Sequence, residues 1–254
     1  MASAFPAGTT GQKIAGRASV SPPPLWHAGY MDEQIVVLPG GPGLNADLHL
    51  PAGARGIVVF AHGSGSSRRS PRNILVAKEL QQAGLGTLLF DLLTSQEERR
   101  DAVDASLRFD IGFLTDRLTA VVDEVAARPQ LAGLPVGLFG ASTGAAAALG
   151  TAAARPGVVR SVVSRGGRPD LAAEALSGVR APTLLLVGSL DEQVIAYNEQ
   201  AAARLPAEHQ LSIIPGATHL FEEPGTLEEV ARQAAAWFVR TLPPAPGEGK
   251  PRAG

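Results

Sequence analysis

The chain has 254 residues, 45% of them hydrophobic and 18% charged, enough to bury one core of ordinary domain size. Twenty-two Lys and Arg against 24 Asp and Glu leave a formal charge of −2, which argues against a nucleic-acid partner held by bulk positive charge. The absence of cysteine excludes disulfides, thiolate zinc sites and a cysteine nucleophile together.

Met1 to Tyr30 is rich in Ala, Ser, Gly and Pro, carries Lys13 and Arg17 without an acidic residue, and reads as a disordered arm over residues 1–30. A domain is expected over 31–242, followed by a Pro- and Gly-rich disordered tail over 243–254. No apolar run reaches the roughly 18 to 20 residues that cross a bilayer, so no membrane partner is expected and the expected location is cytoplasmic.

Ile35 to Leu38 and Ala46 to Leu50 flank the turn-forming Pro39-Gly40-Gly41-Pro42-Gly43 and predict an opening antiparallel strand pair. The runs Gly56–Ala61, Gly86–Phe90, Val136–Gly140, Val158–Val163, Thr183–Val187 and Gln210–Ile214 are continuously apolar or nearly so, as strands covered on both faces require. Helical patterns fall between or after them, over Pro71–Ala83, Ile111–Ala127, Thr143–Ala154 and Leu227–Leu242. The alternation predicts an α/β doubly wound, mostly parallel sheet of about eight strands. Chemistry in such sheets lies in the loops at the carboxyl ends of the strands.

One of those loops is Gly140-Ala141-Ser142-Thr143-Gly144, a Gly-x-Ser-x-Gly placed between an apolar strand and a small-residue helix. This is the context of a nucleophile elbow, with Ser142 at a helix N-terminus. A serine hydroxyl needs a base, and of five histidines only His219 follows the last strand, in Gly216-Ala217-Thr218-His219. His62, which ends the first parallel strand, reads as structural. Asp191 follows the penultimate strand in Gly188-Ser189-Leu190-Asp191 and is the expected partner of His219, with Asp170 as the alternative. Backbone N–H groups of Thr143 and of Ser64, in His62-Gly63-Ser64-Gly65, are positioned to form an oxyanion hole.

Those four motifs resemble the α/β-hydrolase superfamily, and within it the dienelactone-hydrolase-like serine hydrolases, over nearly all of Gln34 to Leu242. The resemblance implies the α/β-hydrolase fold and a Ser142, Asp191, His219 triad that works without metal or cofactor. Dienelactone hydrolases carry a cysteine where this chain has Ser142, and a substrate-binding arginine shortly after the histidine, where it has Glu222 and Glu223. Lid domains of the superfamily enter after the strand that follows the nucleophile helix. Here only Ser164 to Ala181 lies there, room for one short helix and no large lid.

The expected function is hydrolysis of small soluble carboxylic esters or lactones through an acyl-enzyme on Ser142. Perhydrolysis or acyl transfer with the same triad, and a ligand-binding protein without turnover, are the alternatives. Arg68, Arg69 and Arg72 follow the oxyanion loop, and Arg165 and Arg168 follow the strand after the nucleophile helix. Arg68 and Arg168 are the expected contacts for a negatively charged substrate group.

Overall fold

A computed structural model of the chain describes Met1, the backbone of residues 35–37, and residues 43–242. Apart from Met1, the expected N-terminal arm lies outside the described residues, as does the expected C-terminal tail. Eight strands form one sheet in the order β1-β2-β4-β3-β5-β6-β7-β8: β1 (Ile35–Val37), β2 (Gly43–His49), β3 (Ile57–Ala61), β4 (Gly86–Phe90), β5 (Val136–Ala141), β6 (Val159–Arg165), β7 (Thr183–Gly188) and β8 (His209–Ile214). β2 runs antiparallel to β1 and β4, and all other pairs are parallel. This is the α/β-hydrolase fold with the expected N-terminal antiparallel pair.

Side-chain alternation along the apolar strands divides the core. Val59, Leu138, Val162 and Leu185 face α3 (Ile111–Ala127) and α4 (Thr143–Ala154). Val58, Phe60, Phe139, Val163 and Leu186 face α1 (Pro71–Gln82) and α6 (Thr226–Thr241). Helix starts are fixed locally: Ser70 accepts from the Asn73 N–H with Pro71 in the first turn, and Asp110 accepts from the Phe113 N–H.

Two helices escaped the sequence reading, α2 (Ser95–Asp104) and α5 (Glu192–Ala202). α2 is almost entirely polar and buries only Asp101, so it has no apolar stripe to read. Its boundaries come from a capping box, in which Thr94 accepts from the Glu97 N–H while Glu97 accepts from the Thr94 N–H, and from Ala105 in the left-handed region at its end. The β6–β7 connection holds two 3₁₀ turns, Pro169–Ala172 and Leu176–Gly178, where a single short helix was expected. The first begins at Pro169, whose fixed φ suits the first turn, and no lid lies between them. β6 also runs two residues further than the apolar pattern suggested, because Ser164 and Arg165 pair with Gly140 and Ala141 on one side and Leu185 and Leu186 on the other.

The tightest packing lies where α4 meets the strand ends. A Cβ on Gly144 would lie 2.3 Å from the Ala61 carbonyl oxygen, and one on Gly140 would lie 2.4 Å from Ala145 Cα. Both are rigid backbone atoms. Gly144→Ala is therefore expected to lower stability by about 3 kcal/mol or more, at the upper end of overpacking effects. Gly157→Ala, with nothing within 4 Å of the added carbon, is expected to shift it by less than about 1 kcal/mol. Urea unfolding of the two variants checks the contrast.

Candidate active site

β5 ends at Ala141 and α4 begins at Thr143, so Ser142 alone makes the turn between them, at φ 51° and ψ −119°. Such angles cost a non-glycine residue about 1–3 kcal/mol and persist only where the surroundings impose them. Here the Ser142 N–H donates to the Arg165 carbonyl at 3.2 Å, and its own carbonyl accepts from Arg168 N–H at 3.1 Å. Ser142 also occupies the N-cap of α4, where a serine hydroxyl ordinarily accepts from the first turn, yet it makes no such bond. The hydroxyl is withheld from the structural role its position offers.

His219 Nδ1 hydrogen-bonds Asp191 Oδ2 at 2.6 Å. Three further bonds tie the two loops together: Leu190 N–H to the Ala217 carbonyl at 2.9 Å, Ser189 N–H to the Ile214 carbonyl at 3.0 Å, and Gly216 N–H to Ser189 Oγ at 2.8 Å. Gly188 permits the approach, since a Cβ there would lie 2.3 Å from the Ala217 carbonyl oxygen. Glu223 accepts from both the N–H and the hydroxyl of Thr218, which draws its carboxyl below the usual range. With Nδ1 engaged by Asp191, Nε2 is the ring nitrogen left for proton transfer.

Gly166 lies beside both the Ser142 turn and the His219 ring. It follows Arg165, whose carbonyl holds the Ser142 N–H, and its missing Cβ would lie 3.5 Å from His219 Cε1. Among the described residues no hydrogen bond joins Ser142 to His219. Asp170, the alternative acid, is bonded to Arg168 instead.

The Ser64 N–H donates to Thr143 Oγ1 at 2.9 Å, joining the β3–α1 loop to the elbow. Thr143 is the first residue of α4, so its N–H has no intrahelical acceptor. A cavity of about 520 Å³ opens beside this pair, lined by loop 62–67, Arg69, Arg72, Glu98 of α2 and Thr143. It meets the elbow through Thr143 and leaves Ser142 and His219 outside its lining.

His62 shapes that loop from beneath. Its Nε2 accepts the Leu92 N–H at 3.0 Å, and Nδ1 donates to the Gly63 carbonyl at 3.0 Å. Both nitrogens of a neutral ring are satisfied. Burial pushes its pKa below the ordinary histidine value, against the opposing pull of the Gly63 carbonyl and Asp91.

The arginines divide sharply. Arg68 pairs with Asp91, which also accepts the Arg68 N–H at 2.8 Å, and its Nε lies 3.3 Å from Asp47. Arg168 places Nε and Nη2 on Asp170 at 2.9 and 2.7 Å and stacks over Tyr197. The two arginines expected to meet substrate are thus committed to carboxylates. Arg165, only 8% exposed, has none among the described residues. The signal that marks it is an arginine closing an otherwise buried strand.

The model of the dienelactone hydrolase family matches residues 44–242. A dienelactone hydrolase of known structure from Anabaena variabilis is 55% identical, with a TM-score of 0.83 over 85% of this chain and 100% of that one. Est1E from Butyrivibrio proteoclasticus, at 15% identity and TM-score 0.68 over 82% of this chain and 98% of its own, shares the fold. A Mycobacterium tuberculosis protein named "Putative phosphoribosyl transferase" is 56% identical over 212 residues, 83% of this chain and 47% of that relative. The chain thus spans about half the length of the curated relatives it matches.

The state of His62 gives a pH dependence with a definite sign. Because its folded pKa is lowered, the unfolded chain binds the proton more readily, and stability is lost as pH falls from about 6.5 toward the folded value. Between pH 7.5 and 5, the urea midpoint is expected to fall more in the wild type than in His62→Gln. Parallel slopes in the two proteins would assign the pH dependence elsewhere.

Proposed function

Because the chain belongs to the dienelactone hydrolase family, we propose that it is a serine hydrolase that cleaves carboxylic esters or lactones of small soluble molecules. The observation that carries this reading is the conformation of Ser142, strained at an N-cap and with its hydroxyl uncommitted. His219 Nε2 takes the proton from Ser142 Oγ as the oxygen attacks the substrate carbonyl. Asp191 holds the ring through Nδ1 and stabilises the imidazolium. The tetrahedral oxyanion takes the Thr143 N–H together with the Ser64 N–H, which it draws away from Thr143 Oγ1. Collapse passes the His219 proton to the leaving alkoxide and leaves an acyl group on Ser142. Water, deprotonated by the same nitrogen, then releases the acid and restores the serine.

The cavity of about 520 Å³ is of a size that suits a small ligand. Expulsion of water from it strengthens the same donors. The name of the M. tuberculosis relative describes a chain about twice as long as the stretch matched here, and the Ser142, Asp191 and His219 arrangement has no need of phosphoribosyl transfer.

A fluorophosphonate is expected to label Ser142, as mapped by mass spectrometry, and Ser142→Ala is expected to abolish both labelling and turnover of p-nitrophenyl esters. Label on Ser64 or Ser66 would overturn the assignment. Asp191→Asn should lose about 10⁴-fold in kcat, since the ring is no longer held in the productive tautomer. Asp170→Asn should lose far less, and equal losses would move the acid to the β6–β7 loop.

A further inference from the structure

α5 follows Asp191 directly and buries Val194, Asn198 and Ala201, a stripe at helical spacing. An asparagine in that stripe is costly, because its amide must leave water while its two apolar neighbours need no polar partner. Asn198 is fully buried, and its Nδ2 donates to the Val194 carbonyl at 2.8 Å and to the Gly167 carbonyl at 3.0 Å. Its Oδ1 is buried without a hydrogen-bond partner among the described residues. The bond to Val194 stays within the helix, whereas the bond to Gly167 crosses to the β6–β7 connection. A leucine of the same branched shape would complete the stripe and make neither bond.

The segment gripped by this amide touches both base and nucleophile. Gly166 lies against His219, its missing Cβ 3.5 Å from Cε1, and the Arg168 N–H donates to the Ser142 carbonyl at 3.1 Å. Gly167, between them, packs so closely on β6 and α4 that a Cβ would lie 1.9 Å from Ser164 Oγ and 2.7 Å from Ala145 Cβ. Arg168 adds a second tie to α5, its guanidinium 4.8 Å from the centre of the Tyr197 ring. Asn198 stands about two turns along α5 from Asp191 at the N-cap. One short helix therefore carries the acid that holds His219 and grips the segment that touches His219 and Ser142.

We propose that Asn198 is a positioning residue: by holding the Gly167 carbonyl it fixes residues 166–168, and through them the place of the His219 ring relative to Ser142. Its kinetic consequence rests on the proposed ester hydrolysis, whereas its effect on the ring does not. Rate is steep in geometry, and a displacement of about 1 Å imposed from outside the reacting groups can cost about 100-fold. Neither Gly167 nor Asn198 lines the cavity beside Ser64 and Thr143, so the effect falls on kcat and leaves KM.

The test compares Asn198→Leu with wild type and with Glu199→Gln, an exposed change on the same helix. With p-nitrophenyl acetate, Asn198→Leu is expected to lose about 10- to 100-fold in kcat with KM within about twofold, and fluorophosphonate labelling of Ser142 should slow in parallel. Glu199→Gln should match wild type in both. The His219 Cε1–H proton resonance, assigned by its loss in His219→Gln, reads the ring without turnover. It should move in Asn198→Leu, while that of His209, at the exposed start of β8, stays in place.

Asn198→Leu is expected to melt within a few degrees of wild type, because the apolar stripe it completes offsets the lost bond. Should it be unfolded at the assay temperature, the same readings are taken from Asn198→Asp, which keeps the shape and removes the N–H groups. Failure of both variants to fold would overturn the proposal in favour of a role in stability alone. In a folded variant, unchanged kcat, a loss carried by KM, or an unmoved His219 resonance would also overturn it. A moved resonance in a protein that turns over no ester and takes no label on Ser142 would uphold the positioning and refute the hydrolase reading.

Discussion

The first turn of α4 can reach the end of β3 only where both chains are bare backbone, and the organisation of the site follows from that approach. Gly144 sits where a Cβ would strike the carbonyl oxygens of Ala61 and His62, and Gly140 where it would strike the start of the helix. Close contact there lets Ser64 and Thr143 share a hydrogen bond although 79 residues separate them. It also forces the residue between strand and helix into the left-handed region, and that residue is Ser142. The strain of about 1–3 kcal/mol is borne by the packing of α4, whose Ala145 to Ala148 are fully buried. Larger side chains there would push the helix away, and both the turn and the Ser64 contact would be lost.

What the sequence made legible follows the same physics. Strands buried on both faces must be apolar without alternation, so β3 to β7 could be read, and the Gly-x-Ser-x-Gly between strand and helix needed only its context. α2 could not be read from periodicity because it buries a carboxylate in place of an apolar stripe: Asp101 accepts two backbone N–H groups and the Arg108 guanidinium. The β6–β7 connection was short enough to exclude a lid, but whether it would form a helix or two 3₁₀ turns depended on packing against α4 and α5. His219 and Asp191 were found by their places after strands, and their hydrogen bond depends on Gly188, whose close approach leaves no trace in a single sequence.

The arginines show where sequence reasoning meets its boundary. Arg68, Arg165 and Arg168 all begin at the catalytic end of the sheet, and sequence position does not rank them. Pairing does. Asp91 and Asp47 hold Arg68, Asp170 holds Arg168, and both guanidinium groups have their charge balanced within the fold. Such pairs lie far apart along the chain or in irregular turns, so which arginine remains unmatched emerges only from the assembled structure. The unmatched one is also the most deeply buried of the three, since its strand neighbours, Ala141 and Leu186, are both enclosed.

The resting state of the elbow bears on how the proposed chemistry is driven. A buried N–H without an acceptor costs about 1–3 kcal/mol, so the Ser64 N–H would be expensive to hold empty; Thr143 Oγ1 receives it instead. That bond is between neutral groups, whereas a developing oxyanion offers a charge-assisted bond of roughly twice the strength. Exchange of one acceptor for the other therefore favours the transition state over the ground state, since a substrate carbonyl, being neutral, competes with the threonine on nearly equal terms. Differential binding of this kind accelerates the reaction without tightening the hold on substrate.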